Sequence, residues 1–322
     1  MKNILFTGCC GFIGSNVINY FCKKYTEFNI YNIDRLDYCS SIKNVNNYKN
    51  YKFIKGDIKS LDLVNFILKS YKIDIVIHFA AQSHVDNSFG NSIVFTEDNV
   101  LGTHCLLECC KNYGNIKKFI HISTDEVYGE VEENQISSEK SLLNPTNPYA
   151  ASKAAAEFLV KAYYTSFNLP IIITRGNNVF GPRQYPEKII PKFISQILYN
   201  EKMTIHGIGN SVRNYIYVDD VSSAIDIILN KGQINEVYNI GTENEYSVMD
   251  IAKILFNIMR PNEKLEDNLV YVEDRNFNDK RYCVNSNKLK NLGWKEKSNF
   301  YDSIRKTIEW YKNLEKDYWK NT

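Results

Sequence analysis

Apolar and polar positions follow a steady rhythm along the first half of the chain. A short apolar run is followed by a longer stretch with apolar residues three or four apart. The runs Ile4–Phe6, Ile30–Ile33, Tyr51–Ile54, Ile73–Phe79, Lys118–Ser123 and Pro170–Thr174 predict strands. Between them, Phe12–Tyr25, Leu61–Ser70, Asn91–Tyr113 and Tyr149–Phe167 predict helices. The fourth run is almost wholly apolar, as a strand buried on both faces requires. Alternation of this kind predicts an α/β fold, a Rossmann-type doubly wound parallel sheet.

After Arg175 the rhythm breaks. Pro182, Pro186 and Pro191 crowd together and mark a loop feeding a helix over Lys192–Asn200. Later elements are shorter: strands at Tyr215–Val218 and Glu236–Ile240, helices at Val221–Leu229, Val248–Met259 and Tyr301–Tyr311. The pattern predicts a cofactor domain over residues 1–174, with a return near 214–240. Residues 175–322 then form mainly a smaller interwoven α/β lobe that binds substrate.

Composition narrows the function classes. Hydrophobic residues make up 44% and charged residues 24%, as in a globular protein. Net charge is +2 and no basic stripe stands out, which sets a nucleic-acid partner aside. No charged leader and apolar segment precede Asn3–Phe6, and no apolar run reaches the ~18 residues of a membrane span. The expectation is a cytoplasmic protein without a membrane partner. The eight cysteines lack paired C-x-x-C spacing, so they read as small buried hydrophobes in a reducing setting, with no metal site.

The first strand runs into Thr7-Gly8-Cys9-Cys10-Gly11-Phe12-Ile13-Gly14, a G-x-x-G-x-x-G turn. Gly8 suits the tight turn, Gly11 lets backbone approach a pyrophosphate, and Gly14 lets the helix pack on the sheet. The helix N-terminus then faces the phosphates with its N–H groups. Asp34 ends the second strand about twenty residues on, where a carboxylate binds ribose hydroxyls and repels a 2′-phosphate. NAD is therefore favoured, although Arg35 is the residue type that NADP sites employ. Asp57 and Ile58 repeat the strand-then-acid layout and suit either an adenine contact or an ordinary turn.

Tyr149-Ala150-Ala151-Ser152-Lys153 is Y-x-x-x-K at a helix start, a spacing that puts both side chains on one face. A tyrosine of pKa about 10 is a poor base at neutral pH. An adjacent ammonium is expected to lower that value. Just before it, the fifth strand ends in Ser123-Thr124-Asp125-Glu126-Val127-Tyr128-Gly129. Two adjacent acids at the carboxyl end of a sheet strand are a solvated loop or an acid and base serving one substrate. Elimination of water needs such a pair, one group taking a carbon-bound proton and the other protonating the departing hydroxyl.

Thr7–Gly14, Asp34, Ser123–Gly129 and Tyr149–Lys153 together resemble the extended short-chain dehydrogenase/reductases. More narrowly, His78–Ser88, the Thr124-Asp125-Glu126 triplet, Asn177–Pro182 and Pro186–Pro191 resemble the nucleoside-diphosphate-glucose 4,6-dehydratases. The likeness continues to Leu292-Gly293-Trp294 and Trp310. Leu36–Ser40, Asp86–Ser92 and Phe277-Asn278-Asp279 are most similar to the UDP-glucose 4,6-dehydratase region of plant-type UDP-rhamnose synthases. Bacterial dTDP-glucose enzymes usually show Arg-Pro-Gly-His-Asp where this chain has Arg275–Asp279.

The resemblance implies NAD-dependent conversion of UDP-glucose to UDP-4-keto-6-deoxyglucose, with dTDP-glucose as the alternative substrate. Tyr149 would deprotonate the C4 hydroxyl with Thr124 bonded to it, Lys153 would support Tyr149, Glu126 would take the C5 proton, and Asp125 would protonate the C6 hydroxyl. Around the cofactor it implies Gly8, Gly11, Phe12, Ile13, Gly14, Asp34 and Arg35, then Asp57, Ile58, Phe79, Ala80, Ala81, Ser83 and Asn99, besides Tyr149 and Lys153. Toward the nucleotide sugar it implies Ser83, His84, Thr124, Asn178, Glu187, Lys188, Arg213, Arg275 and Asn278. A bidentate cation such as Arg213 suits the diphosphate. His84 equally suits the core, His121 suits the core, and His206 suits a loop. The resemblance further implies a homodimer through Asn91–Tyr113 and Tyr149–Phe167, with Leu101, Cys105, Ala155 and Leu159 compatible with the contact. A 4-epimerase would need the Tyr/Lys pair without the acid pair. An NAD(P)-sensing regulator on the same fold could dispense with Tyr149 and Lys153 altogether.

Overall fold

The apolar runs stack side by side into one sheet in the computed structural model, which describes residues 2–274 and 279–320. The chain begins with β1 (Asn3–Thr7), α1 (Phe12–Lys24), β2 (Asn29–Asp34), β3 (Tyr51–Lys55), α2 (Leu61–Ser70) and β4 (Ile75–His78). Next come α3 (Val85–Gly90), α4 (Ser92–Phe95), a π-helical stretch (Thr96–Leu101), α5 (Gly102–Tyr113), β5 (Lys118–Thr124), α6 (Pro148–Phe167) and β6 (Ile171–Gly176). There follow β7 (Asn178–Phe180), α7 (Ile189–Leu198), β8 (Met203–His206), β9 (Val212–Tyr217), α8 (Val218–Lys231) and β10 (Glu236–Ile240). The last are β11 (Glu245–Ser247), α9 (Val248–Met259), β12 (Leu269–Val272), α10 (Asn287–Asn291) and α11 (Phe300–Lys312).

Seven strands form the main sheet in the order β3-β2-β1-β4-β5-β6-β10, every pair parallel. Because side chains alternate along a strand, Ile4 and Phe6 face one layer and Leu5 the other. The first layer is α1 and α8, with Val17, Phe21, Ile225 and Ile228 buried against the sheet. The second is α2, α5 and α6, contributing Val64, Ile67, Leu106, Leu107 and Val160. Each such side chain stabilises by roughly 1.5–3 kcal/mol through burial. A third core, containing Phe193, Ile205, Tyr215, Leu255 and Ile304, fills the lobe around α7, α9 and α11.

Several elements differ from their sequence reading. α7 begins at Ile189 rather than Lys192 and takes Pro191 into its first turn. The missing N–H of a proline costs nothing there, since first-turn donors have no intrahelical acceptor. The strand expected at Tyr215–Val218 runs Val212–Tyr217 in a three-stranded lobe sheet with β7 and β11, and Val218 opens α8. The long helix expected at Asn91–Tyr113 starts at Ser92 and carries the π-helical stretch in its middle. α3, β7, β8, β11, β12 and α10 were not anticipated, being too short to display a period.

One buried ion pair ties α6 to the sheet. Arg175 on β6 gives Nε to both carboxylate oxygens of Glu157 at 3.1 Å and Nη2 to one at 2.6 Å. Its Nη1 donates to the Tyr128 hydroxyl at 2.8 Å. Arg175 is 1% exposed and Glu157 0%, so neither charge has access to water.

Candidate active site

A cleft of about 470 Å³ opens at the carboxyl ends of β1, β4, β5 and β6, where the strand order reverses and open α/β sheets bind ligands. Its floor is the glycine turn. Gly8 has φ +72°, and a Cβ there would lie 2.5 Å from the Ala80 Cα, so only glycine fits. A Cβ on Gly14 would meet Cys9 Cα at 2.8 Å, so the start of α1 can press on the turn only without one. α1 follows Gly11, whose cap position offers no side chain, which leaves the first N–H groups of the helix for an anion. Gly11, Phe12, Ile13 and Gly14 all line the cleft.

Asp34 ends β2 and is oriented by two backbone donors, Cys10 N–H and Leu36 N–H, each at 2.8 Å. Burial raises its pKa, and the two amides pull the other way. Arg35, Asp57, Ile58, Phe79, Ala80, Ala81 and Ser83 line the same end. Thr7 holds this wall together: its hydroxyl pairs with His78 Nδ1 at 2.7 Å and accepts the Ala80 N–H at 3.2 Å. Asn99, expected at the cofactor, does not face the cleft. Its amide clamps the Gln82 backbone (2.7 and 3.0 Å) and the Ser152 hydroxyl (2.8 Å), and it is 1% exposed. It braces the wall from behind.

The catalytic expectations converge. Thr124 closes β5 and caps the helical turn Asp125–Tyr128 by accepting the Glu126 N–H at 3.3 Å. α6 starts with Asn147 as cap, accepting the Ala150 N–H at 2.8 Å, and Pro148 in the first turn. This start aims Tyr149 and Lys153 at the end of β5. Thr124, Glu126, Tyr149 and Lys153 line the cleft, while Asp125 is buried beside them. Asn177 donates to Asp125 at 2.8 Å, and Asn147 donates to Glu126 at 3.2 Å.

The two acids have different surroundings. Burial, then the Glu126 charge, push Asp125 up to about 7, against the pull of Asn177 and Arg213. Burial also raises Glu126, while Lys188, Arg213 and Asn147 draw it back. Burial thus raises both acids; Asp125 has the Glu126 charge added against its own, while Glu126 has two cations, Lys188 and Arg213, opposing the rise.

The expected effect of Lys153 on Tyr149 is not seen. Burial raises the Tyr149 phenol, and Glu126 raises it further; the lowering influence comes from Thr124. The Lys153 ammonium instead donates to the Ile122 carbonyl at 2.7 Å, and burial brings its own pKa to about 8. Four-residue spacing put the two residues on one face, but the end of β5 captured the ammonium.

Across the cleft, Asn178, Glu187, Lys188 and Arg213 come from the lobe and face Ser83 and His84. Lys188 donates to the Ser83 carbonyl at 2.8 Å, and the Tyr38 hydroxyl donates to Glu187 at 2.7 Å. Arg213 stacks on the Tyr282 ring at 4.7 Å. His84 caps α3 and lines the cleft rather than the core, His121 is buried, and His206 ends β8 at the cleft. Arg275 and Asn278 lie outside the described residues. Sequence reasoning missed Asn147, Asn177, Gln82, Asp98, Asp279 and Tyr282. The Asn-Pro start of α6 was a local signal for Asn147, as a cap followed by a first-turn proline, and Gln82, Asn177 and Asp279 lie within motifs that carry the resemblance although they were given no role.

A dinucleotide fits these residues: uncapped N–H groups for a pyrophosphate, glycines where a side chain would collide, and an amide-held carboxylate for ribose hydroxyls. Fold and site together define an extended short-chain dehydrogenase/reductase. A family model described as GDP-mannose 4,6 dehydratase matches residues 5–307. A dTDP-D-glucose 4,6-dehydratase of Dictyostelium discoideum is 50% identical, over 100% of this chain and 84% of that protein. A trifunctional UDP-glucose 4,6-dehydratase/UDP-4-keto-6-deoxy-D-glucose 3,5-epimerase/UDP-4-keto-L-rhamnose-reductase of Arabidopsis thaliana is 51% identical, over 96% of this chain and 47% of that protein. A crystal structure of dTDP-glucose 4,6-dehydratase from Streptomyces venezuelae with NAD bound has a TM-score of 0.93 and 33% identity, covering 99% of each chain. The chain belongs to the GDP-mannose 4,6-dehydratase family. It is a nucleotide-sugar 4,6-dehydratase, a hydro-lyase whose cofactor is NAD.

Among the described residues no helix is long and apolar enough to cross a membrane, and no group of three His, Cys, Asp or Glu is arranged to hold a metal ion.

Proposed function

We propose that the chain dehydrates UDP-glucose to UDP-4-keto-6-deoxyglucose, a step toward UDP-rhamnose. The observation that carries the chemistry is the acid pair Asp125–Glu126 in unlike environments beside Tyr149. Oxidation at C4 makes the C5 hydrogen acidic, so elimination across C5–C6 needs one base and one acid. NAD, when bound, supplies the hydride acceptor and donor and, while oxidised, a positive charge.

In this reading Tyr149 takes the proton of the C4 hydroxyl, and Thr124 hydrogen-bonds the same oxygen. Glu126, favoured as a carboxylate by Lys188 and Arg213, removes the C5 proton. Asp125, partly protonated near neutrality, gives its proton to the C6 hydroxyl as water leaves, and Glu126 returns a proton to C5 when hydride comes back to C6. Lys153 contributes a buried positive charge anchored to the Ile122 carbonyl. The lobe residues Asn178, Glu187, Lys188 and Arg213, with Ser83 and His84, hold the nucleotide sugar, and Arg213 takes the diphosphate.

The uridine base is supported by Leu36–Ser40 and Asp86–Ser92, which are similar to the plant-type proteins, and by the 51% identity to the trifunctional Arabidopsis protein. The 50% identity to a dTDP-D-glucose 4,6-dehydratase favours a second reading, the same reaction on dTDP-glucose. Purified protein incubated separately with each nucleotide sugar, and analysed by mass spectrometry for loss of one water, tests both. Faster loss from UDP-glucose supports the proposal; turnover of dTDP-glucose alone replaces it with the second reading.

A further inference from the structure

Arg35 directly follows the carboxylate that ends β2, where an NADP site keeps a cation for the 2′-phosphate. A guanidinium has five N–H donors. Here all five meet carboxylates. Nε and Nη2 bind the two oxygens of Asp37 at 2.8 and 2.6 Å. Nη1 binds Asp98 at 2.8 Å and Asp57 at 3.3 Å, and Nη2 also binds Asp98. The neighbouring cation Lys59 is held as well, donating to Asp98 at 2.8 Å. Gln82 closes the cluster by donating to Asp37 at 3.0 Å and Asp98 at 3.1 Å.

Two cations thus stand among four carboxylates, counting Asp34. Arg35, Asp37, Asp57, Gln82 and Asp98 all line the cofactor cleft. Asp37 is two residues from Arg35 and would accompany it in any loop of this sequence. Asp98 arrives from elsewhere. It sits in the π-helical stretch Thr96–Leu101, and such stretches often mark functional positions. Burial works against its charge, yet Arg35, Lys59 and Gln82 hold its pKa down to about 2, so it is ionised at any working pH.

We propose that Asp98 is a specificity-determining residue for the cofactor: held in place by Lys59, it engages Arg35, denies that guanidinium to a 2′-phosphate and keeps the enzyme on NAD. The inference rests on the dinucleotide reading of the cleft. It differs from the role of Asp34, which repels a phosphate directly. Asp98 withholds the guanidinium that would otherwise attract one.

Competition for the site tests this without reference to turnover. Wild-type protein and the Asp98→Asn and Asp37→Asn variants are equilibrated with mixtures of NAD and NADP, freed of unbound nucleotide, and denatured. The two nucleotides released are then quantified. Wild type should release NAD almost alone. Asp98→Asn should shift the NADP-to-NAD ratio by about tenfold or more toward NADP, and the shift should shrink in high salt, as a phosphate–cation contact does. Asp37→Asn, which frees two donors but leaves Asp98 on the guanidinium, should shift it less, and it provides the test if Asp98→Asn does not fold. Adding Arg35→Ala to Asp98→Asn should remove most of the gain. An unchanged ratio in folded variants, or a gain that survives loss of Arg35, overturns the proposal. A wild-type protein that retains neither nucleotide would instead refute the dinucleotide reading itself.

Discussion

Asp125 and Glu126 are adjacent in the chain but differ in what surrounds them, and their proposed division of labour can be read in two variants. Glu126→Gln should block loss of the C5 proton while leaving C4 oxidation possible, so absorbance of reduced nicotinamide should accumulate on the enzyme. Tyr149→Phe should fail earlier and show no such absorbance. Each should slow turnover by on the order of 10²- to 10⁴-fold in a steady-state assay. Equal accumulation in both would refute the assignment. Asp125 also makes a pH prediction. Its folded pKa, about 7, lies above the ordinary value of 3.8, so the folded state binds more protons between those limits. Stability should therefore fall as pH rises through that window, by at most about 4 kcal/mol from this residue. Asp125→Asn should flatten the fall, visible as a larger gain in melting temperature over wild type at pH 8 than at pH 5. The acids and the Tyr/Lys spacing were legible by their place, at the end of a sheet strand and the start of the next helix, since the spacing alone recurs at Tyr20–Lys24 and Tyr113–Lys117. The contacts of Asn147 and Asn177 with these acids were not, because each asparagine meets its carboxylate only in the fold, 21 and 52 residues away along the chain.

At the scale of elements, periodicity succeeded where a run was long enough to repeat. The helices Phe12–Lys24 and Pro148–Phe167 and the strand Glu236–Ile240 fell within a residue or so of their sequence reading. Three-residue strands such as β7 and β11 carry no period, and pairing alone makes them strands. What fixes α6 against β6 was also invisible: nothing in the sequence pairs Glu157 with Arg175, yet they meet in the core. Removing one partner leaves the other buried and uncompensated, so Glu157→Ala should cost about 3–5 kcal/mol in denaturant unfolding. Replacing both by apolar residues of similar size should cost less. If Glu157→Ala is tolerated within about 1 kcal/mol, the pair is not isolated from water as described.

The parallel sheet was legible as a whole because α/β alternation leaves few topologies, while the lobe sheets were not, since most of their strands are only three or four residues long. Assembly belongs to this scale as well. Leu101 is 49% exposed and Phe158 60%, on adjoining helices of the second layer, with Cys105, Ala155 and Leu159 half-buried beside them. We propose that this face pairs with a second copy. Light scattering at micromolar concentration should give twice the chain mass, and charged substitutions at both exposed positions should give the single mass with the cleft intact. A wild-type monomer would count against it.

The route of the chain through the main sheet has a consequence for its synthesis. The sheet is left at Gly176 and rejoined only at Glu236, with three lobe strands made in between. While those residues emerge, β6 is a bare edge of apolar side chains, Ile171, Ile172 and Ile173, open to pairing with any passing strand. Its own partner has to be translated before it can be covered. The lobe that shapes the substrate side of the cleft is thus also a delay line, and the nascent chain is most exposed to misassembly during the stretch that builds it.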